Sequence, residues 1–200
     1  MECNGGTTGR MWCEAEISLD INCLELKAAL FALISFCKEM SNVDIKPLTD
    51  NSTTFACISF NDMDSPKPAC NDIASDIWLW CLSTNNFVTA VHLPGCTNIE
   101  ADFESRTDRH QIERHLNPIV FQGITLQLGI CDMDLFASRV NAQLDKYVSW
   151  KPDPGAFAVD AFTLDWSGFR AVCFPLFSLI LRVLQKVKGL ESDCVLVVPI

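Results

Sequence analysis

Basic residues are scarce in this sequence. Its 200 residues include 15 Lys and Arg against 25 Asp and Glu, which gives a formal net charge of -10. Proteins that bind nucleic acid usually present a basic surface, and this chain has no overall excess of positive charge. The negative net charge disfavours tight binding to nucleic acid. A local basic patch is still compatible with this net charge.

Cysteine motifs for metal binding are also missing. The 11 cysteines are scattered along the chain, without a Cys-x-x-Cys pair and without a close Cys/His cluster. This distribution argues against a zinc site. We therefore expect reduced thiols that fill the core of an intracellular protein.

The sequence has no long apolar run and no secretory signal. Its first residues, MECNGGTTGRMW, lack a basic start followed by an apolar stretch. The most apolar late segment, residues 171–184, is too short to span a bilayer and is interrupted by Pro175 and Arg182. We expect a protein of the cytoplasm or nucleus, with no membrane partner.

Alternating helix and strand patterns are present and predict an α/β protein. In the first half we expect helices over 21–37, 51–58 and 69–82, strands over 43–48 and 87–93, and a short helix after Asn98. In the second half we expect helices over 118–128 and 179–188, the latter stopped by Gly189, and strands over 131–137, 171–174 and 194–198. A hairpin whose second arm is 10–13 is expected to precede them.

Glu25 is unusual because it lies inside the most apolar of these helices, which Asp20 is expected to cap. A charge among apolar neighbours is costly unless it is paired, protonated or bound to a cation. Two readings stay open. Glu25 is either a functional acid or a surface residue at the solvent edge of the helix, paired with Lys27 or with a distant arginine.

Three segments resemble the active-site motifs of type 1 ribonuclease H domains. They are INCLELKAALFAL with Glu25, LTDNSTT with Asp50, and HLPGCTNIEADFESR, which contains a His-x-Pro-Gly turn and Asp102. With IWLWC and DLFASRVNAQLDKYVSWKPDP, the chain resembles the reverse transcriptase/ribonuclease H polyproteins of DIRS-type retrotransposons. The resemblance implies a ribonuclease H-like mixed sheet with flanking helices over residues 1–106, a linker over 107–117, and a second small α/β unit over 118–200.

The resemblance also implies a chemistry for the acids. The family cleaves the RNA strand of RNA–DNA hybrids with two Mg2+ ions, and Mn2+ is an alternative. Glu25, Asp50 and Asp102 would be the catalytic metal ligands, and His92 a structural member of its turn. The family's further aspartate belongs to a first strand that is expected before Met1. We therefore expect the chain to be inactive on its own.

Residues 118–200 resemble the adenine-methyltransferase-like region that follows ribonuclease H in those elements. Active relatives carry an Asn/Asp-Pro-Pro-aromatic turn that binds the target base. The equivalent residues here, Phe174-Pro175-Leu176-Phe177, lack the polar acceptor, although Phe177 could still stack on a base. There is no glycine-rich loop, and Asp132, Asp134 and Ser138 are weak candidates for cofactor binding. We expect a structural remnant without bound S-adenosylmethionine.

Two further hypotheses stay open. The chain could be a non-catalytic module that binds nucleic acid or protein, with Lys27, Lys38, Lys46 and Lys67 as the candidate contacts for an RNA–DNA hybrid. Its partners would be such a hybrid, bound weakly if at all, or the remainder of a reverse transcriptase polyprotein. It could also be an unstable product, because a sheet without its first strand exposes an unpaired edge.

Overall fold

The structure is a computed structural model that describes residues 2–3, 6–9, 11–60, 67–99 and 114–198. The chain is mixed α/β, as predicted, and divides into two compact units, Met1–Thr107 and Asp108–Ile200. Within the described ranges, no helix has the length and apolar character needed to cross a membrane.

The described residues of the first unit form four α-helices: α1 (Glu14–Ile17), α2 (Ile21–Cys37), α3 (Ser52–Phe60) and α4 (Pro68–Thr84). Asp20 caps α2 as predicted, because its carboxylate accepts the Asn22 N–H at 3.0 Å. Pro68 begins α4, where its missing N–H has no cost. Asn85 ends α4 in the left-handed conformation, with φ 54°.

The core of the first unit is built around α2. The buried residues of α2 recur at alternate spacings of three and four, which places them on one helical face; they are Cys23, Leu26, Leu30, Leu33 and Cys37. This face packs against α3 and α4. Cys23 and Cys70 form a disulfide between α2 and α4, so the expectation that all thiols are reduced was wrong. Burial brings the two sulfurs together at the helix contact, and no sequence spacing reveals that.

The strands of the first unit are short. An antiparallel hairpin, β1 (Glu2–Cys3) and β2 (Gly6–Thr7), precedes α1, whereas residues 11–13, predicted as its second arm, form no strand. β3 (Asp44–Ile45) pairs in parallel with β5 (Phe87–Val88), and β4 (Leu48–Thr49) pairs in parallel with β6 (Val91–His92).

The two strand pairs share one register. Asp44 lies opposite Phe87 and Leu48 opposite Val91, so the offset is 43 residues in both pairs (87 − 44 and 91 − 48). Between them the Pro47 carbonyl accepts the Val91 N–H at 2.8 Å. Proline has no N–H and cannot donate a hydrogen bond to the neighbouring strand, so the ladder is interrupted at Pro47.

Within residues 114–198 the second unit has two α-helices, α5 (Pro118–Leu128) and α6 (Ile180–Leu190). Its strands are β7 (Met133–Asp134), β8 (Val148–Ser149), β9 (Ala158–Val159), β10 (Ala171–Cys173) and β11 (Cys194–Leu196). Helix α6 continues through Gly189 to Leu190, and Glu191 follows as its C-cap with φ 48°. Gly189 was therefore wrongly predicted as the stop, since a single glycine inside a helix costs only about 1 kcal/mol.

All five strands of the second unit run parallel. β10 lies between β11 and β7, and β8 pairs with β9. A bridge between Asp134 and Tyr147 joins the two groups, so the strand order is β11-β10-β7-β8-β9. Along the chain, β8 and β9 follow β7 and lie on one side of it. β10 comes next and lies on the opposite side of β7. The topological switch point of this doubly wound sheet is therefore between β7 and β10.

Each face of this sheet is covered by a helix. Val183 of α6 packs with Met133, Leu135 and the fully buried Trp166 on one face. Phe121 and Ile124 of α5 pack with Val172 and Val195 on the other. The Trp166 indole N–H donates to the Ala161 carbonyl at 2.7 Å, which satisfies the polar atom of the largest buried side chain.

Candidate functional site

Asp50 lies at the carboxyl end of the parallel strand pair in the first unit. It directly follows β4, and the turn beginning at Gly95 follows β6, the neighbouring strand. Parallel strands bring their carboxyl ends to one edge of a sheet, which is where α/β proteins bind ligands. Two separate segments of the chain therefore meet at Asp50.

The turn after β6 holds the Asp50 carboxylate. The Asn98 amide donates to Asp50 Oδ1 at 3.1 Å. Residues 95–97 form one 3-10 turn, in which Thr97 N–H and Oγ1 donate to the Pro94 carbonyl. A Cβ atom placed on Gly95 would lie 3.2 Å from Asp50 Oδ2. The glycine of the His-x-Pro-Gly turn thus permits a close approach of backbone to carboxylate, which a larger residue would allow only if the carboxylate shifted by a few tenths of an ångström.

Glu25 interacts electrostatically with Asp50. The pKa of Glu25 is raised, first by desolvation of its carboxylate and second by the negative charge of Asp50. Glu25 is exposed, so the interpretation that places it on the surface, at the solvent edge of the helix, is confirmed. The predicted pairing with Lys27 is wrong, because Lys27 Nζ lies 3.0 Å from Glu16 Oε1. The nearly buried Glu16 attracts the lysine more strongly than a solvated partner would.

A chain of amide hydrogen bonds ties the Glu25 helix to the strand end. Asn51, next to Asp50, donates from Nδ2 to Asn22 Oδ1 at 2.9 Å. The same Asn51 accepts the Thr54 N–H at 2.9 Å and so caps α3. Asn22 lies three residues before Glu25 on α2, and positions three apart share a helical face. Sequence reasoning missed Asn22 and Asn51, whose only signal is that each lies near a candidate acid.

The third predicted acid, Asp102, lies outside the described residues. Among the described residues, no group of three or more His, Cys, Asp or Glu side chains could hold a metal ion. Glu25 and Asp50 alone supply two carboxylates, which are the oxygen ligands that Mg2+ and Mn2+ prefer. The remaining motif residue, His92, packs edge-on against the Phe55 ring, with 6.0 Å between the ring centroids.

A second candidate site lies at the switch point of the second unit. A crevice opens where β7 and β10 end, and its cavity volume is about 10 Å³, room for roughly one water molecule. Ligand pockets commonly measure about 300–1,000 Å³, so this crevice is far smaller than a ligand pocket. Its lining combines apolar and polar side chains: Arg114, Leu116, Asp134, Phe136, Ala137, Asn141, Gln143, Val172 and Phe174.

Asp134 is the buried acid of this crevice. Burial raises the pKa of Asp134 to about 6. The backbone N–H groups of Gln143 and Phe136 donate to the carboxylate and partly offset this rise. These donors lie 3.1 and 3.5 Å from the carboxylate. The other two weak candidates serve the local structure: Asp132 accepts the Arg170 N–H at 2.8 Å, and Ser138 Oγ lies 3.1 Å from Asn141 Oδ1.

Residues 114–116 close over part of the crevice. The Arg114 guanidinium lies 5.4 Å from the Phe174 ring centroid and 4.7 Å from that of Phe177. The Asn141 amide donates to the Arg114 carbonyl at 2.9 Å, and the Gln143 amide to that of Leu116 at 3.0 Å. Sequence reasoning assigned this segment to a linker, since its contacts are distant in sequence.

Both candidate sites occupy the carboxyl edge of parallel strands, one in each unit. In the first the charge of Asp50 contributes to the raised pKa of Glu25, and the second surrounds Asp134 with amides and aromatic rings. Comparison of the chain with models of protein families, with curated protein sequences and with solved structures gave no match.

Proposed function

We propose that residues 1–107 are a ribonuclease H-like unit of retroelement origin that binds divalent cations through Glu25 and Asp50. The observation that carries the proposal is the electrostatic coupling of these two acids at the carboxyl edge of the strand pair. Two carboxylates held close together repel each other, and a cation between them removes that repulsion. Asp102 would be the third ligand.

The family's reaction is hydrolysis of RNA in RNA–DNA hybrids, in which the metals activate water and stabilise the leaving oxygen. In this chain Glu25 and Asp50 would position the cation, while Asn98 and Gly95 would fix the Asp50 carboxylate. The family's bridging aspartate has no counterpart among the described residues. We expect these 200 residues alone to bind metal and to hydrolyse hybrids poorly or not at all, because metal position carries the catalysis.

The test is a titration of Mn2+ into the full chain, followed by calorimetry and by the Mn2+ paramagnetic signal. Glu25→Gln and Asp50→Asn should each weaken binding at least tenfold. Asp44→Asn is the matched control, since Asp44 is exposed on the same strand pair but about 20 Å from Asp50 along the strand. Equal affinity in all four proteins would refute the metal site.

A cleavage assay separates metal binding from catalysis. The chain is incubated with an RNA–DNA hybrid and Mg2+ or Mn2+, with and without an added upstream segment carrying the family's first strand. Metal binding without cleavage, and cleavage restored by the segment, would support the proposal. Cleavage unaffected by Asp50→Asn would assign any activity to a contaminant.

A second candidate is a non-catalytic module that keeps the fold. It is favoured by two ion pairs, Lys27 with Glu16 and Lys67 with Asp20 at 2.6 Å, which occupy two of the four lysines considered for hybrid binding. The small crevice of the second unit also favours a remnant over a methyltransferase. Under this candidate the chain binds neither Mn2+ nor S-adenosylmethionine. A steep salt dependence of its affinity for a hybrid would support a nucleic-acid-binding module, and the lack of any salt dependence would count against one.

A further inference from the structure

Two cysteines of the second unit are diagonal neighbours on adjacent strands. Cys173 is the last residue of β10 and Cys194 the first residue of β11, and the register places Ala171 opposite Cys194 and Cys173 opposite Leu196. The two Sγ atoms are nevertheless 3.0 Å apart. A disulfide bond is about 2.05 Å long and joins Cα atoms about 4.4–6.8 Å apart, so bond formation needs the sulfurs to approach by roughly 1 Å and the strand ends to shift with them.

The two thiols differ in exposure and in protonation. Cys173 is fully buried, whereas Cys194 is partly exposed. The pKa of Cys194 is lowered, chiefly by the hydrogen bond with Cys173. Burial and the neighbouring Asp193 carboxylate raise this pKa, but by less. The pKa of Cys173 is raised, by the same hydrogen bond and by burial. The two thiols share one hydrogen bond, in which either sulfur can be the donor. Cys194, which is partly exposed and has the lowered pKa, is the more nucleophilic of the two.

Two of the other free cysteines, Cys131 and Cys96, differ from this pair in their surroundings. Cys131, at the start of the neighbouring strand region, is buried, and burial raises its pKa. Cys96 is exposed and belongs to the first unit. Cys131 is therefore the internal control for a buried thiol outside the pair, and Cys96 is the control for an exposed thiol outside the pair.

We propose that Cys173 and Cys194 are a redox-active dithiol that reacts with small disulfides such as glutathione disulfide. The Cys194 thiolate attacks one glutathione sulfur, forms a mixed disulfide and releases one glutathione thiolate, which takes up a proton. Cys173 then loses its proton and attacks the Cys194 sulfur, which releases the second glutathione. Two protein thiols are oxidised and one glutathione disulfide is reduced to two glutathione molecules.

Oxidation would affect the crevice described above. The new bond closes a ring that contains the 174–177 turn and all of α6, and Phe174 directly follows Cys173. A ring of this length is expected to raise the melting temperature of the second unit by roughly 15–25 °C. It also fixes β10 to β11 at the point from which Phe174 enters the crevice.

The test is peptide mapping of the full chain after equilibration with glutathione buffers of increasing oxidation. Arg170, Arg182 and Lys188 place the two cysteines in separate tryptic peptides, 171–182 and 189–200, so their linkage appears as a new joined species. It should form at least tenfold faster than any adduct at Cys131. The Cys23–Cys70 disulfide gives different peptides and does not interfere.

Single variants test the order of the steps. Cys173→Ser should stop at a stable glutathione adduct on Cys194, and Cys194→Ser should leave Cys173 free. The inference is overturned if both thiols of the wild-type chain remain free under conditions that modify Cys96. It is also overturned if a folded Cys173→Ser variant gives no adduct. Should a variant fail to fold, the wild-type map decides by itself.

Discussion

The side-chain amide of Asn98 donates a 3.1 Å hydrogen bond to the carboxylate of Asp50, 48 residues earlier in the chain. This contact joins the segments that follow two neighbouring parallel strands. It leaves Asp50 Oδ2 facing the backbone of Gly95, so the orientation of the acid depends on the turn after β6 as well as on its own strand.

Gly95→Ala should therefore disturb the metal site without unfolding the chain. The new methyl group would lie 3.2 Å from Asp50 Oδ2, and the carboxylate must shift by a few tenths of an ångström. We expect a five- to tenfold loss of Mn2+ affinity by calorimetry. Gly123→Ala is the control, because no atom lies within 4 Å of its Cβ position; it should leave the affinity unchanged and stabilise α5 by about 1 kcal/mol. Equal effects of the two substitutions would contradict the role of Gly95.

Asp50→Asn should lower the pKa of Glu25. The charge of Asp50 is one of the two causes that raise this pKa, and the amide removes it while keeping the shape of the side chain. Carboxyl carbon chemical shifts followed by NMR over pH 3–8 report the change directly. Asp44→Asn should have no such effect, and an unaltered Glu25 titration in Asp50→Asn would mean that the two acids do not interact.

Asp134→Asn should change how the stability of the second unit depends on pH. Burial raises the pKa of Asp134 from 3.8 to about 6, so the folded state binds the proton more tightly than the unfolded state. This stabilisation is complete below pH 3.8 and is lost as pH rises through about 6. The loss amounts to about 3 kcal/mol.

The measurement is urea unfolding of both proteins between pH 4 and 7.5. The wild-type chain should lose stability relative to Asp134→Asn across this interval, and the difference should level off above pH 7. A difference that does not vary with pH would show that Asp134 keeps an ordinary pKa in the folded state.

Reduction of the Cys23–Cys70 disulfide should destabilise the first unit. The bond links residues 47 apart, and closing a loop of that length removes about 4 kcal/mol of unfolded-state entropy on the chain-entropy model. Urea unfolding with and without dithiothreitol measures the effect. The double variant Cys23→Ala/Cys70→Ala should not respond to the reductant, and an equal response of variant and wild type would place the effect elsewhere.

Helices and strands could be predicted from the sequence because their signals are local. The apolar run of α2, its Asp20 cap and the proline at the start of α4 all lie within the elements that they specify. The position of Asp50 at a strand end followed from the same reasoning. Pro47 interrupts its strand because proline has no N–H to donate to the ladder.

The parts that could not be predicted depend on contacts between distant residues. Asn98 lies next to Asp50 only because β4 and β6 are paired, and Arg114 reaches Phe177 only because the second sheet brings β10 beside β7. The Cys23–Cys70 and Cys173–Cys194 pairs arise in the same way. Sequence spacing contains no information about such neighbours until the strand order is known.

The constant offset of 43 residues on both sides of Pro47 has a consequence for how this chain tolerates change. A substitution at Lys46 or Pro47 does not change the number of residues between the paired strands and keeps Asp50 beside Gly95. Inserting or deleting one residue there would turn every later side chain of the strand to the opposite face and would move the acid by about 3.3 Å. The spacing between the two strands is thus under tighter constraint than the identity of the residues that fill it.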